Sequence, residues 1–478
     1  MRKGYITVFL SLSLTLILSL VFTVIEGARI SAIRMKFECV ADIGMNSILA
    51  EYHRELLAQY DLLFVDASYG GSFPSIANTE EHLKKYIQEN LQYPRGNLFY
   101  KTRDFLNMSV ESVELTEYSI ASDDEGDVIK RQISDYMADY PLGNLLMRLT
   151  DNVSMTEHYQ METRDVAGER DGFQARIDEI GLPLQEVGEG MYEEVPLNNP
   201  ADIANATRSI GVLNLVVDNI ESISTVKIMP EQYISARTLF QGSGTCEEAE
   251  RIAGKSNDML FLAYLFEKCG CYGKEKEESV LQYQIEYIIA GKDTDWKNLE
   301  YVAKKLLKWR EAANVLYILS DSAKVAEAEA MALALTAVTL SPELAEPVKY
   351  LILFAWAYVE SLQDVKDLLN GGRVPIYKTS ADWKTGINSI KDVKGSLKDS
   401  DDNGRGLSYK EYLEVMLFLA NSHDTTFRAM DIMEMDIRKT PGNSEFRMDG
   451  CFDTYKARLA VKSGFGYRYE MERLYGYY

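Results

Sequence analysis

The chain has 478 residues, enough for one or two domains with cores of their own, and its 46% hydrophobic and 26% charged residues are ordinary globular usage. Its 51 Lys and Arg against 73 Asp and Glu leave a net charge of −22, which argues against nucleic-acid binding, because phosphate recognition needs a basic face. Four widely separated histidines exclude an HExxH metal enzyme, and the five cysteines form no disulfide framework.

The first predicted element is the strongest. After Met1-Arg2-Lys3-Gly4, the 21 residues from Tyr5 to Ile25 carry no charge. As a helix rising 1.5 Å per residue they span about 30 Å, the thickness of bilayer hydrocarbon. This predicts a membrane helix bounded by Tyr5 and Ile25. A cleaved secretory signal is the alternative. Its apolar stretch is usually about 7–15 residues with an A-x-A-like site, which Val24-Ile25-Glu26-Gly27-Ala28 matches poorly. Arg2 and Lys3 favour a cytoplasmic amino terminus, which puts the remaining chain outside the cell membrane. The helical pattern continues beyond the span, since Ile30, Ile33, Phe37, Val40, Gly44, Ile48 and Tyr52 recur every three or four residues. Gly27, Ala28, Ala32, Ala41, Ser47 and Ala50 stud the same stretch, and small residues let helix backbones approach closely. Two readings stand: a stalk packed on its own domain, or a helix packed against like helices in an envelope assembly.

Gly4-Tyr5-Ile6-Thr7-Val8-Phe9-Leu10, the apolar run, Glu26-Gly27-Ala28-Arg29, and Val40-Ala41-Asp42-Ile43-Gly44 through Ala50 resemble the N-terminal region of TadE/TadG-like pilus-assembly proteins. In that group an acidic residue closes the membrane helix, a basic residue follows, and an Ala/Asp-rich amphipathic helix comes next. Glu26, Arg29, Ala41 and Asp42 stand in those places and are the assembly candidates. The resemblance covers about a tenth of the chain and implies partners among Tad-type pilus or secretion components. It departs at Phe9, where processed pilins carry Glu, so processing after Gly4 and polymerisation as a major pilin do not carry over. The bulk of the chain is also similar to an uncharacterised Firmicute family of membrane-anchored proteins encoded near Tad-type pilus genes. The segments that carry this are Tyr60 to Asp66, Leu281 to Lys292, Gly406 to Leu413 and the aromatic C-terminus. That likeness brings no catalytic residue with it.

Further along, Leu62 to Val65 reads as a short buried strand, Thr79 to Leu91 as a helix capped by Thr79, and Ser109 to Ile120 as a strand. Ser122-Asp123-Asp124-Glu125 has the spacing of a capping box before a helix whose face is Ile129, Ile133, Tyr136, Met137 and Tyr140. Residues 122–200 hold a net −12 of the chain's −22, a solvated acidic face or a cation-binding one. Pro200 to Arg208 reads as helix and Val212 to Val217 as strand. The alternation from Leu281 to Ile289, apolar at odd and polar at 282, 284 and 286, predicts a half-buried strand. Asp293-Thr294-Asp295 caps a block of helices from Trp296 to about Leu369. Within it the ten apolar residues Tyr350 to Val359 are too short to span a membrane and predict a core helix, ended by Gly371-Gly372. Tyr455, Ala457, Leu459 and Val461, then Gly464-Phe465-Gly466, then Tyr467, Tyr469 and Met471 predict a terminal hairpin.

Chemistry-bearing patterns are few. Asp399-Ser400-Asp401-Asp402-Asn403-Gly404 begins like a calcium loop, with Asp399, Asp401 and Asn403 at the first three ligand positions, but position twelve is Lys410 and Glu411 comes one residue late. Ser408 to Glu411 is also a capping box, so a turn with a cap and a divergent calcium site are both open; no other cofactor is implied. Cys269-Gly270-Cys271 lacks a second close pair and reads as structural cysteines. The sequence therefore predicts an α+β protein. Its regions are an anchor and stalk (1–60), an acidic α+β region (61–235), a strand plus helical block (236–375) and a C-terminal region with the aromatic hairpin (376–478). The expected function is a non-enzymatic, single-pass membrane-anchored accessory or minor pilin-like component of a Tad-type apparatus. The alternative is an anchored exterior binding module or sensor for a wall polymer or cation. Membrane lipid is the expected environment, and nucleic acid is not an expected partner.

Overall fold

The computed structural model describes residues 3–92, 106–188, 191–244, 255–399 and 404–477. They form two compact units, each assembled from separated stretches. Met1–Tyr136, Ala236–Asn257 and Met433–Tyr478 make the first; Met137–Ser235 and Asp258–Ile432 make the second. Both mix helices and antiparallel strands, so the fold is α+β.

In the first unit, helix α1 runs unbroken over the 47 residues Lys3–Leu49. Side chains from Tyr5 to Ile25 are exposed except the half-buried Ser13, and the apolar window within α1 is long and apolar enough to cross a membrane. From Ile33 the character changes. Ile33, Phe37, Val40, Ala41, Met45 and Ile48 are buried in a core shared with helix α2 (Ile76–Leu91) and a four-stranded sheet. The predicted stripe is therefore real from Ile33 to Ile48, while Ile30 and Tyr52 at its ends are exposed. The cap of α2 is Ser75, with Thr79 buried a turn inside the helix.

The sheet is antiparallel throughout. Strand β3 (Cys451–Ser463) is central, pairing with β2 (Met108–Ile120) on one side and with β1 (Val65–Asp66) and β4 (Arg468–Gly476) on the other. The hairpin read from the sequence is thus β3–β4. Its period of two is obeyed: Tyr455, Ala457, Leu459 and Val461 are buried toward α1. On the opposite, wet face Arg458 pairs with Glu114 and Glu472, and Lys456 with Glu117. Ser122 to Glu125 is not a capping box. Asp124, Glu125 and Gly126 all take positive φ, and the Asp123 carboxylate instead accepts from the amides of Ile120, Gly242 and Gly244. A local spacing rule lost here to a contact with a distant segment.

The second unit is mainly helical. Helix α4 (Asp295–Ser320) packs on α6 (Ala345–Leu369), which also packs on α5 (Ser322–Thr336). The apolar run Tyr350 to Val359 lies buried inside α6, as a core helix should, and Gly371 ends it at φ +84°. Two strand readings are overturned. Val212–Val216 is helical, and Leu281 to Ile289 contains helix α3 (Gln284–Ala290), closed by Gly291 in the left-handed conformation. The alternation at 281–289 misleads because, of its three polar members, only Gln282 is wet. Gln284 and Glu286 are fully buried and accept hydrogen bonds from the amides of Gly270 and Tyr272.

Candidate functional site

The residues singled out near the amino end come together with the C-terminal hairpin. Glu26 and Arg29, one turn apart on α1, form an ion pair of 2.8 Å. The Arg29 guanidinium lies 4.0 Å from the ring centroid of Phe465, at the β3–β4 turn. Tyr467, two residues further along, has Glu26 near its hydroxyl; that carboxylate, as hydrogen-bond acceptor first and as a charge after burial, raises the phenol's pKa.

Below this point the hairpin lays a row of tyrosines along α1. Tyr469 donates to Glu38 (3.1 Å) and stacks edge-on against Phe37. Tyr475 donates to Asp42 (2.8 Å), Tyr455 to the Met45 carbonyl (2.9 Å), and Tyr477 to the Leu49 carbonyl. Each ring gives the core its apolar body and spends its hydroxyl on the helix, which is how a buried tyrosine is satisfied. Ala41 is fully buried within the unit's own core, and Asp42 holds Tyr475. The sequence places Tyr455, Tyr467 and Tyr469 on the hairpin but does not pair them with α1. The acidic residues spaced at 38 and 42 were the signal for their partners.

Of the calcium pattern, Asp399 and Glu411 fall within the described residues. Asp401 and Asn403 lie outside the described residues, and among the described residues no group of three His, Cys, Asp or Glu is placed to hold a metal. Glu411 is already engaged. It completes a capping box with Ser408 on helix α7 (Tyr409–Phe418) and pairs with Arg148 (3.1 Å) and Arg373 (3.2 Å). Burial works against its charge, but the bonds from Ser408 and the two arginines hold its carboxyl below the usual range. A cleft of about 530 Å³ opens beside it, lined by Tyr140, Leu145, Arg148, Phe266, Lys410 and Glu414. Arg148 also bridges to Glu414 at 2.7 Å, so the cleft presents paired charges of both signs.

Two buried polar groups of the second unit were missed. Arg310, Asp364, Lys378 and Glu360 form a cluster with no solvent access: Arg310 donates to Asp364 (2.9 Å), and Lys378 bonds both Asp364 and Glu360. Glu360 also accepts from the amides of Lys384 and Thr385, and Asn314 donates to Asp364. Two cations and two anions cancel, and the contacts leave their polar atoms matched, the condition for a tolerable buried charge. Glu286 differs. Its Oε1 accepts from Tyr409 (2.7 Å) and the Tyr272 amide (2.9 Å), while Oε2 has no partner. Burial pushes its pKa up to about 7. The neighbouring Cys271 thiol is pushed up to about 12, by burial and then by the Glu286 charge, so it is an inert thiol. Cys39, Cys271 and Cys451 are free thiols.

A family profile matches residues 190–463, more than half of the 478. The chain belongs to DUF5702, a family of unknown function. The DUF5702 match begins beyond α1 and ends with β3, so it takes in the central strand, the helical block and the buried clusters, but not the apolar helix. Comparison with curated proteins and with solved structures gives no match.

Proposed function

We propose that this DUF5702 protein is a non-enzymatic, single-pass membrane-anchored accessory or minor pilin-like component of a Tad-type pilus or secretion apparatus, with its folded bulk outside the cell membrane. The observation that carries this reading is the continuity of α1. Its 47 residues extend about 70 Å, bare along the apolar first half and built into the core along the second. No loop separates anchor from platform, so the helix that enters the bilayer and the sheet that stands outside move as one body. Such a build suits a subunit that packs by its helix and presents its sheet. Because Ala41 and Asp42 serve the protein's own core, helix contacts with partners fall to the Tyr5–Ile25 segment. There Ser11, Thr15, Ser19 and Thr23 recur every four residues on one face. The hydroxyls of Ser11, Thr15 and Thr23 fold back onto the helix's own carbonyls, leaving a small-residue stripe of the kind that favours close helix packing. The likeness to the TadE/TadG N-terminal region directs the proposal to that apparatus.

The test is affinity purification of the full chain from solubilised host membranes, beside a strain lacking the gene. Tad-type components should co-purify with the native chain and be lost from a Thr15→Leu/Ser19→Leu variant that still reaches the membrane. Recovery of no such component, with surface pili unaltered in the deletion strain, overturns the reading, as does intact product confined to the cytosol.

A further inference from the structure

We propose that the β3–β4 turn, Gly464-Phe465-Gly466-Tyr467, is a second membrane contact, seated in the headgroup layer of the bilayer that α1 crosses. The inference rests on the reading of α1 as a membrane span and adds to it a surface on the folded unit.

Register carries the argument. The uncharged run ends at Ile25, so the edge of the hydrocarbon falls at Ile25 and Glu26. The headgroup layer beyond it is about 5–8 Å deep, and Arg29 lies about 6 Å past Ile25 along the axis. Helical side chains lean toward the amino end, which brings the Arg29 guanidinium back toward that edge. Phe465 is held 4.0 Å from this guanidinium, and the Tyr467 hydroxyl lies near enough to Glu26 to feel its carboxylate. The turn therefore stands level with the membrane boundary, at the height where aromatic side chains concentrate in membrane proteins.

The turn is also built to hold that height. Ser463 donates its amide to the Tyr467 carbonyl (2.8 Å), Gly464 donates to the Asn107 carbonyl (2.7 Å), and the Ser463 hydroxyl donates to the Leu106 carbonyl (2.8 Å). A side chain at Gly464 would collide with Asn107, and Gly466 sits at φ +89°, so small residues are needed on either side of the ring. Between them Phe465 is 49% exposed, an aromatic ring half open to its surroundings. The surrounding charges are of both signs: Arg34 and Arg468 are exposed, with Glu38, Glu111 and Glu470 beside them. The occupant is accordingly the interfacial layer of an ordinary bilayer, without a demand for anionic lipid. Two contacts, the span and the turn, fix the rotation and tilt of the first unit on the membrane, which a span alone leaves free.

Brominated-lipid quenching tests this with the full chain in phosphatidylcholine vesicles. The native chain supplies the baseline from its own tryptophans. Phe465→Trp should add emission that is blue-shifted and lost more to bromines near the acyl carbonyls than to bromines near the chain ends. Leu16→Trp, mid-span on α1, should show the reverse order. If Leu16→Trp behaves so while Phe465→Trp emission is untouched by bromines or is quenched more by the deep ones, the turn contact is overturned and the span stands. If Leu16→Trp is not quenched, the span falls and the turn contact with it.

Discussion

Glu286 is a carboxyl whose environment favours its neutral form. Burial raises its pKa from 4.5 to about 7, and Oε2 has no donor to stabilise a charge. Between those values the folded protein holds a proton that the unfolded chain has released. Stability therefore falls as pH rises through this window, and is fully present below pH 4.5. The loss between pH 5 and pH 8 is on the order of 3 kcal/mol. Glu286→Gln, which copies the neutral acid in shape, should flatten this slope and be the more stable protein at pH 8. All four tryptophans lie in the second unit, so urea midpoints read by tryptophan fluorescence report on this site. Parallel pH slopes for the two proteins would refute the assignment. The cluster at Lys378 makes a second residue-scale case. Lys378→Met leaves Glu360 and Asp364 buried with one cation between them and should cost about 3–5 kcal/mol by the same measurement. Arg458, half-exposed on the wet face of β3, should lose less than about 1 kcal/mol on change to Ala, although it touches three carboxylates.

At the scale of elements, the seam between α1 and α2 depends on Gly44. A Cβ there would stand 2.9 Å from Ile87 Cγ1 and 3.3 Å from Leu83 Cδ1. Both are side-chain ends that can yield, and a helix gains about 0.5–1 kcal/mol when Gly becomes Ala, so Gly44→Ala should stay within about 1 kcal/mol of native. Gly44→Leu must part the helices and should cost about 1–3 kcal/mol. Hydrogen exchange along Leu83–Leu91 checks this: native protection in the Leu variant would show that the seam tolerates the volume. This seam was readable in advance because α1 has one wet and one dry side, which writes a helical period into its residues; the β3–β4 hairpin was readable for the same reason with a period of two. Where both sides are dry, the period is no guide. Gln284 and Glu286 look like a wet face and are core residues bonding a loop. Val212–Val216 is apolar throughout and too short for its period to distinguish strand from helix. Asp123 is committed to Gly242 and Gly244, more than a hundred residues away, and no local pattern contains that. The cluster at Arg310, Asp364, Lys378 and Glu360 was likewise invisible, because four charges scattered over seventy residues gain meaning only once helices α4 and α6 are packed.

For the molecule as a whole, the long apolar helix and the folding core share one element, and this sets where the chain can be cut. Side chains from Tyr5 to Ile25 make no part of the core, whereas Ile33 to Leu49 supply one wall of it. Removing residues 1–29 takes away the exposed apolar segment, the Glu26–Arg29 pair and the ring contact with Phe465, and leaves every buried residue of α1 in place. The fragment from Ile30 should therefore be free of detergent and retain the exchange protection of the β2–β3 ladder. Removing residues 1–60 is a different act. It deletes Phe37, Met45 and Ile48, each fully buried and each costing about 2–5 kcal/mol when cut back to Ala. It also strands the hydroxyls of Tyr469, Tyr475 and Tyr477, whose acceptors are on α1. The three truncations alone sum to about 6–15 kcal/mol, as large as the roughly 5–15 kcal/mol by which domains are stable, so the sheet of the fragment from Asp61 should exchange as an unfolded chain. Equal protection of the β2–β3 amides in both fragments would show that α1 is an appendage to this unit rather than part of its core.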